Sequence, residues 1–312
     1  MLIKCSAALA VCPWLLCCCA PLRNRDTDYS IRPELPAEVF FNNEGGEIYV
    51  TVRVENGEEG LFSVDTGIPI TILDKSFEAK LGKRLGTTRF AYVFRDPTVE
   101  GIYASPNLYL GGTQLFTGPY VLTTDLRSQY ATPPVLGALG MNCLRQYCIQ
   151  LDFADRKLRF LDPDRLNTED LGMAFPLTIG NVALNRMLND GAAALTETRL
   201  FQGRTIPFWI DTGFHGDVDI LLKSKQFQRV LHQQQPDDTG RLRLSGAPPG
   251  LRAALFSKVE FGRQTYTNVV IGEIPNETWS FQGWIGSHFL ARHLVTFDFP
   301  KRVMYLKPTR EQ

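Results

Sequence analysis

The sequence predicts a mainly β protein made of two similar halves, with few and short helices. Three observations predict it. Phe62-Ser63-Val64-Asp65-Thr66-Gly67 recurs 146 residues later as Phe208-Trp209-Ile210-Asp211-Thr212-Gly213. At the same separation, Gly137-Ala138-Leu139-Gly140-Met141-Asn142-Cys143-Leu144 recurs as Gly283-Trp284-Ile285-Gly286-Ser287-His288-Phe289-Leu290, and Ile149-Gln150-Leu151-Asp152-Phe153 as Val295-Thr296-Phe297-Asp298-Phe299. Between these anchors, short runs alternate apolar and polar residues and end at Gly or Asn, the period of half-buried strands. Similarity at a fixed separation means that one structural unit has been used twice.

Taken in order, Ile48 to Val54 alternates as a strand, and Asn56-Gly57 is a turn signal with Gln202-Gly203 in the equivalent place. Leu61 to Val64 is the returning strand. After Asp-Thr-Gly, Ile70 to Leu73 reads as another strand. Lys75 to Leu85 reads as a short helix with Phe77 and Leu81 on one face; its counterpart is Lys223 to Leu231, with Phe227 and Leu231 at the same spacing. Leu108 to Gly112 and Val259 to Gly262 each read as strand then turn. Two more strands around Asp152-Phe153 and Asp298-Phe299 close each half. Lobes spanning 35–165 and 175–312 follow, joined near Asn167 to Gly172.

The 312 residues, 44% hydrophobic, are enough for a sizeable core, and their plentiful apolar and aromatic side chains exclude general disorder. Basic and acidic residues number 33 each, so the net charge is zero and there is no electrostatic footprint for nucleic acid. The N-terminus differs from the rest. Lys4 precedes a mostly apolar run from Cys5 through Cys19, and Ala20 leads to the polar Arg23-Asn24-Arg25-Asp26. About fifteen apolar residues are short for a membrane span and fit a signal h-region. Residues 1–20 are therefore expected to be a signal peptide or lipoprotein signal. Leu15-Leu16-Cys17-Cys18-Cys19 loosely resembles a bacterial lipoprotein signal with Cys18 or Cys19 lipidated, although cysteine stands where Gly, Ala or Ser is usual. Export is expected: secreted, periplasmic or lipid-anchored at the cell envelope. Beyond this segment only Cys143 and Cys148 remain, and either a disulfide or two buried thiols suits them.

Chemistry concentrates at the repeated Asp-Thr-Gly. If the halves pack about a twofold axis, equivalent loops meet there and Asp65 faces Asp211. Two carboxyls that close share a proton, so one serves as general base on a water while the other protonates or polarises a carbonyl. His215, Asp217 and Asp219 are close in sequence and alternate strand residues share a face. Scattered ligand types after such a loop read as polar lining, and no metal is expected. No serine has a nucleophile elbow around it.

At these residues the chain resembles the aspartic protease superfamily. Val64-Asp65-Thr66-Gly67 and Ile210-Asp211-Thr212-Gly213 match its active-site motif, and Ala138-Leu139-Gly140 and Trp284-Ile285-Gly286 its apolar-apolar-Gly motif. Gly140-Met141-Asn142-Cys143-Leu144 looks more like retropepsin-type domains than pepsins. The resemblance implies two fused retropepsin-like or pepsin-like lobes, each a closed β-barrel, related by pseudo-twofold symmetry, in a monomer with pseudo-dimeric lobes. It implies catalysis by Asp65 and Asp211, loops tied by Thr66 and Thr212, and Gly67 and Gly213 keeping backbone close to the dyad. A peptide or protein substrate is implied, without metal, organic cofactor or nucleic acid, and with membrane contact only through an N-terminal lipid or signal anchor. The function so expected is an aspartic endopeptidase; the alternative is a peptide-binding or envelope scaffold protein that keeps the fold without turnover. Ile68 and Phe214 depart from the small residue usual after Asp-Thr-Gly and are expected to narrow or reshape the cleft. Thr88 to Gly101, turning at Arg95-Asp96-Pro97, and Asp238 to Gly250 are the flap candidates.

Overall fold

A computed structural model describes residues 38–42, 46–90, 97–129, 134–182, 184, 188, 191–237, 251–274 and 281–309, all within one compact unit, Pro33–Gln312. Residues 1–20, the turn residues Arg95 and Asp96, and the second flap candidate lie outside the described residues.

The first half contributes β1 (Glu38–Phe40), β2 (Tyr49–Val54), β3 (Glu59–Val64), β4 (Ile72–Asp74), β5 (Gly86–Phe90) and β6 (Thr98–Ala104). After these come β7 (Leu108–Leu110), β8 (Thr113–Leu115), β9 (Tyr120–Thr124), α1 (Leu126–Gln129), β10 (Val135–Leu139), α2 (Met141–Leu144), β11 (Cys148–Asp152) and β12 (Lys157–Leu161). The second half contributes β13 (Met173–Val182), β14 (Gly191–Arg199), β15 (Thr205–Ile210), β16 (Ile220–Lys223) and α3 (Ser224–Gln233). It ends with β17 (Ala253–Phe261), β18 (Gln264–Ile274), β19 (Gly283–Ile285), α4 (Ser287–Leu290), β20 (His293–Asp298) and β21 (Val303–Pro308). The protein is mainly β, in two large sheets.

The repeat in sequence is a repeat in topology. Six strands of the first half lie in the order β6-β9-β4-β10-β3-β2, and six of the second in the order β17-β18-β16-β19-β15-β14. The strand directions match pair by pair: β3 and β10 run parallel, as do β15 and β19, while β4 and β16 run antiparallel to those same partners β10 and β19. Among the described residues, however, neither half closes into a barrel. Both sheets run open, one from β5 to β8 and the other from β1 to β17, among the described residues. The closing strands β11 and β12 of the first half leave their own sheet, since β11 pairs antiparallel with β20, whereas β20 and β21 stay joined to their own half through β13 and β14. In the β11–β20 pair Gln150 lies opposite Thr296, its amide donating to the Thr296 hydroxyl at 3.0 Å.

Strand alternation aims the core. In β15, Ile206, Phe208 and Ile210 are buried while Thr205, Pro207 and Trp209 are not. Phe62 and Phe208, equivalent residues, are both fully buried. A side chain on Gly137 would stand 2.2 Å from the Phe62 ring, and one on Gly283 2.4 Å from the Phe208 ring. The glycine opening each apolar-apolar-Gly segment thus makes room for the phenylalanine on the Asp-bearing strand. Burying each ring contributes about 2–3 kcal/mol.

One predicted helix is only a turn. Lys75–Phe77 forms a single 3₁₀ turn capped by the Asp74 carboxylate on the Ser76 N–H, and Gly82 follows at φ +80°. Only Phe77 is fully buried there, too little apolar contact to propagate a helix past its costly nucleus. Its counterpart, α3, buries Phe227 and Val230 and does continue. Cys143 and Cys148 are both free and buried, and burial pushes both thiols up to about 12. Among the described residues no helix is long and apolar enough to cross a membrane.

Candidate active site

β3 delivers Asp65 and β15 delivers Asp211, each at a strand end where the chain must turn. The same two bonds brace both turns. The Asp65 N–H donates to the Leu139 carbonyl at 3.1 Å, and the Asp211 N–H to that of Ile285 at 3.0 Å. Beyond the turn, the Met141 N–H reaches the Ile68 carbonyl at 2.9 Å and the Ser287 N–H reaches that of Phe214 at 2.8 Å. Ala138-Leu139-Gly140 and Trp284-Ile285-Gly286 therefore lie directly behind the loops. Gly140 and Gly286 allow this approach: a Cβ would sit 2.6 Å from the Ile70 carbonyl carbon or 2.5 Å from the Phe214 carbonyl oxygen.

The loops meet across the two halves. The Thr66 hydroxyl donates to the Ile210 carbonyl at 2.9 Å and accepts the Thr212 N–H at 3.0 Å. The Thr212 hydroxyl donates to the Val64 carbonyl at 2.6 Å and accepts the Thr66 N–H at 3.0 Å. Both threonines are fully buried, so these bonds are made without competing water.

Each glycine faces the opposite aspartate. A Cβ on Gly67 would fall 2.2 Å from the Asp211 carboxyl, and one on Gly213 would fall 2.4 Å from that of Asp65. The two carboxyls are hydrogen-bonded to each other. The Gly67 N–H donates to Asp65 Oδ1 at 2.7 Å; the N–H groups of Gly213 and Phe214 donate to Asp211 Oδ1 at 2.9 and 3.0 Å. Burial pushes the Asp65 carboxyl above the usual carboxylate range, against the pull of these donors. Burial, then the charge of Asp65 beside it, pushes Asp211 well above that range. Two such groups in contact titrate as one pair and hold one proton between them over a wide pH interval.

The site is not symmetric. The indole N–H of Trp284 donates to Asp211 Oδ2 at 3.0 Å, whereas the equivalent residue beside Asp65 is Ala138, which has no donor. The sequence marks Trp284 only as a member of the apolar-apolar-Gly motif and not as a donor to the dyad. The available signal was that a buried indole needs an acceptor for its N–H. His215 and Asp219, close in sequence, face different partners. His215 Nδ1 lies 3.1 Å from the Gly213 carbonyl and 3.7 Å from Glu47 Oε2, and the buried Glu47 also accepts from the Tyr49 hydroxyl at 2.5 Å. Asp219 is held elsewhere, by Arg292 at 2.9 Å and the Val270 N–H at 2.8 Å. Phe214 leans on Trp284 with ring centroids 5.8 Å apart, and Ile68 is buried among Tyr49, Ile70 and their neighbours. β5 and β6 form an antiparallel hairpin at the first flap candidate.

Comparison with protein-family models and with curated protein sequences found no match for the chain.

Proposed function

We propose that the chain is an aspartic endopeptidase of two pseudo-symmetric lobes, 35–165 and 175–312, acting as a monomer on peptide or protein substrates after export. The observation that carries the reading is the convergence of two aspartates, one from each half, into a hydrogen-bonded pair whose carboxyls are both raised. The twofold relation is supported by two pairs of facing residues with the same separation of 146, Thr66 with Thr212 and Gln150 with Thr296. Resemblance to the aspartic protease superfamily at both Asp-Thr-Gly loops supports it as well. A module that only binds peptides has no use for two touching carboxyls, one of which adds to burial in raising the other well above the usual carboxylate range.

In this reading the singly protonated pair holds a water. The ionised carboxylate takes a proton as the water oxygen attacks the scissile carbonyl carbon. The protonated carboxyl gives its proton to the carbonyl oxygen, leaving a neutral gem-diol. The pair then returns a proton to the amide nitrogen and recovers one from a gem-diol hydroxyl as the C–N bond breaks. No net proton is consumed.

The test is hydrolysis of an unfolded protein by the purified chain. Cleavage should be blocked by a peptide analogue with a hydroxyl at the scissile position, since transition-state mimics bind far more tightly than substrates. Asp65→Asn and Asp211→Asn should each abolish it while circular dichroism stays unchanged. Wild-type turnover in either variant would overturn the mechanism.

A further inference from the structure

A cavity of about 780 Å³ lies at the tip of the β14–β15 hairpin, lined by Arg199, Arg204 and Arg229. Its remaining lining includes Gln202, Thr205 and Gln233, and no carboxylate. Arg199 ends β14 opposite Thr205, Arg204 follows the tip, and Arg229 comes from α3. Arg159, Arg252 and Arg292 each have a carboxylate within 4 Å. Among the described residues the three cavity arginines have none.

The tip is held firmly. Leu200 bridges to Phe261, the Phe201 N–H donates to the Glu260 carbonyl at 2.6 Å, and the Phe201 ring packs on Phe256 at 5.6 Å. Phe201 adopts φ +53°, a left-handed conformation that costs an aromatic residue about 1–2 kcal/mol. Such strain persists only where the surroundings over-determine it. Here the anchored turn sets Arg199 and Arg204 on either side of the tip, and the Arg229 guanidinium is fixed by Gln226 at 2.9 Å. Three cations around one concavity repel each other, and an anion seated among them reverses that. Guanidinium forks match phosphate oxygens two at a time. The volume lies within the range of small-molecule sites.

We propose that this cavity is a binding site for a phosphate-bearing anion of oligophosphate size. It stands at the far end of β15 from Asp211, roughly 20 Å along six strand residues, so its ligand does not enter the dyad.

The test is calorimetric titration of the full chain with inorganic pyrophosphate at low salt. One-to-one binding is expected, weakening as salt rises. Combined Arg199→Gln, Arg204→Gln and Arg229→Gln should weaken it at least about tenfold, the loss of one charged hydrogen bond. Arg252→Gln should leave it unchanged. Should the triple variant melt earlier, Arg204→Glu alone at the exposed tip is expected to give the same loss. Absence of binding to the wild type, or wild-type affinity in both cavity variants, overturns the site. Flotation with phosphatidylglycerol vesicles then separates the sources: capture that needs the three arginines assigns lipid phosphate, and pyrophosphate binding without capture assigns a soluble phosphate.

Discussion

Thr66 and Thr212 each donate a hydroxyl to a carbonyl of the other half and accept the other's N–H, so neither loop is held by its own half alone. Thr66→Val keeps the shape and deletes the hydroxyl. The Ile210 carbonyl and the Thr212 N–H are then buried without partners, at about 1–3 kcal/mol each. Denaturant unfolding should show that loss, and the proposed proteolytic activity should fall with it as the aspartates separate. Thr66→Ser keeps both bonds and is expected to stay close to wild type. Equal loss in the two variants would mean that the methyl, not the hydroxyl, matters.

Gly67 is set by the opposite carboxyl. Its missing side chain would point at Asp211, only 2.2 Å from that group. Gly67→Ala must therefore push Asp211 out of contact with Asp65. A cost of about 1–3 kcal/mol is expected for overpacking, with activity lost almost completely because the pair no longer shares its proton. Gly112→Ala, a control position with open space around it, should change neither measurement.

The paired loops were legible because their chemistry lies in consecutive residues, and the equal separation of every repeated segment showed that two copies of one unit exist. That both halves share one strand order is consistent with the same repeat, but the order itself comes from pairings across the chain that no local run of residues specifies. Sheet closure was not legible, because whether β11 returns to its own half or pairs with β20 is decided by long-range contacts with no local signature. The helix expected over Lys75 to Leu85 failed for a related reason: Phe77 and Leu81 have helical spacing, but the packing available to them supports one turn. The Trp284 bond to Asp211 depends on which way a buried indole points, a property of the assembled site.

That bond gives a prediction for pH. A donor on a carboxylate stabilises its charge and lowers its pKa. Trp284→Phe removes the donor and keeps an aromatic ring over Phe214. The pair then binds its protons more tightly, and the kcat/KM profile should move to higher pH by about one unit, the equivalent of ~1.4 kcal/mol. An unmoved profile with reduced kcat would make Trp284 a packing residue alone.

Stability should depend on pH through the same pair. Burial, together with the neighbouring charge at Asp211, raises both carboxyls in the folded chain. Between the unfolded aspartate value, about 3.9, and those raised values, the folded state binds more protons than the unfolded chain. Stability due to the pair is therefore present at low pH and is lost as pH rises through this window. Asp74 and Asp152 act in the opposite direction. Burial raises each, but hydrogen bonds from Ser76 and the backbone N–H of Arg127 outweigh it at Asp74, and those from Arg159 and Asp155 at Asp152, so both end below the usual value. Their contribution is lost as pH falls. Asp65→Asn isolates the dyad. It removes one carboxyl, sets an amide N–H towards Asp211, and leaves a single charge with the donors of Gly213, Phe214 and Trp284. Below the unfolded value the variant and the wild type should be equally stable, since protonated aspartate and asparagine have the same shape and charge. Towards neutral pH the variant should become the more stable, by about 1.4 kcal/mol for each unit of raise that the substitution removes, the burial of Asp211 being common to both proteins. Urea unfolding of both proteins across that range reads the difference directly. Curves that stay parallel would show that the carboxyls titrate at ordinary values and that no proton is shared.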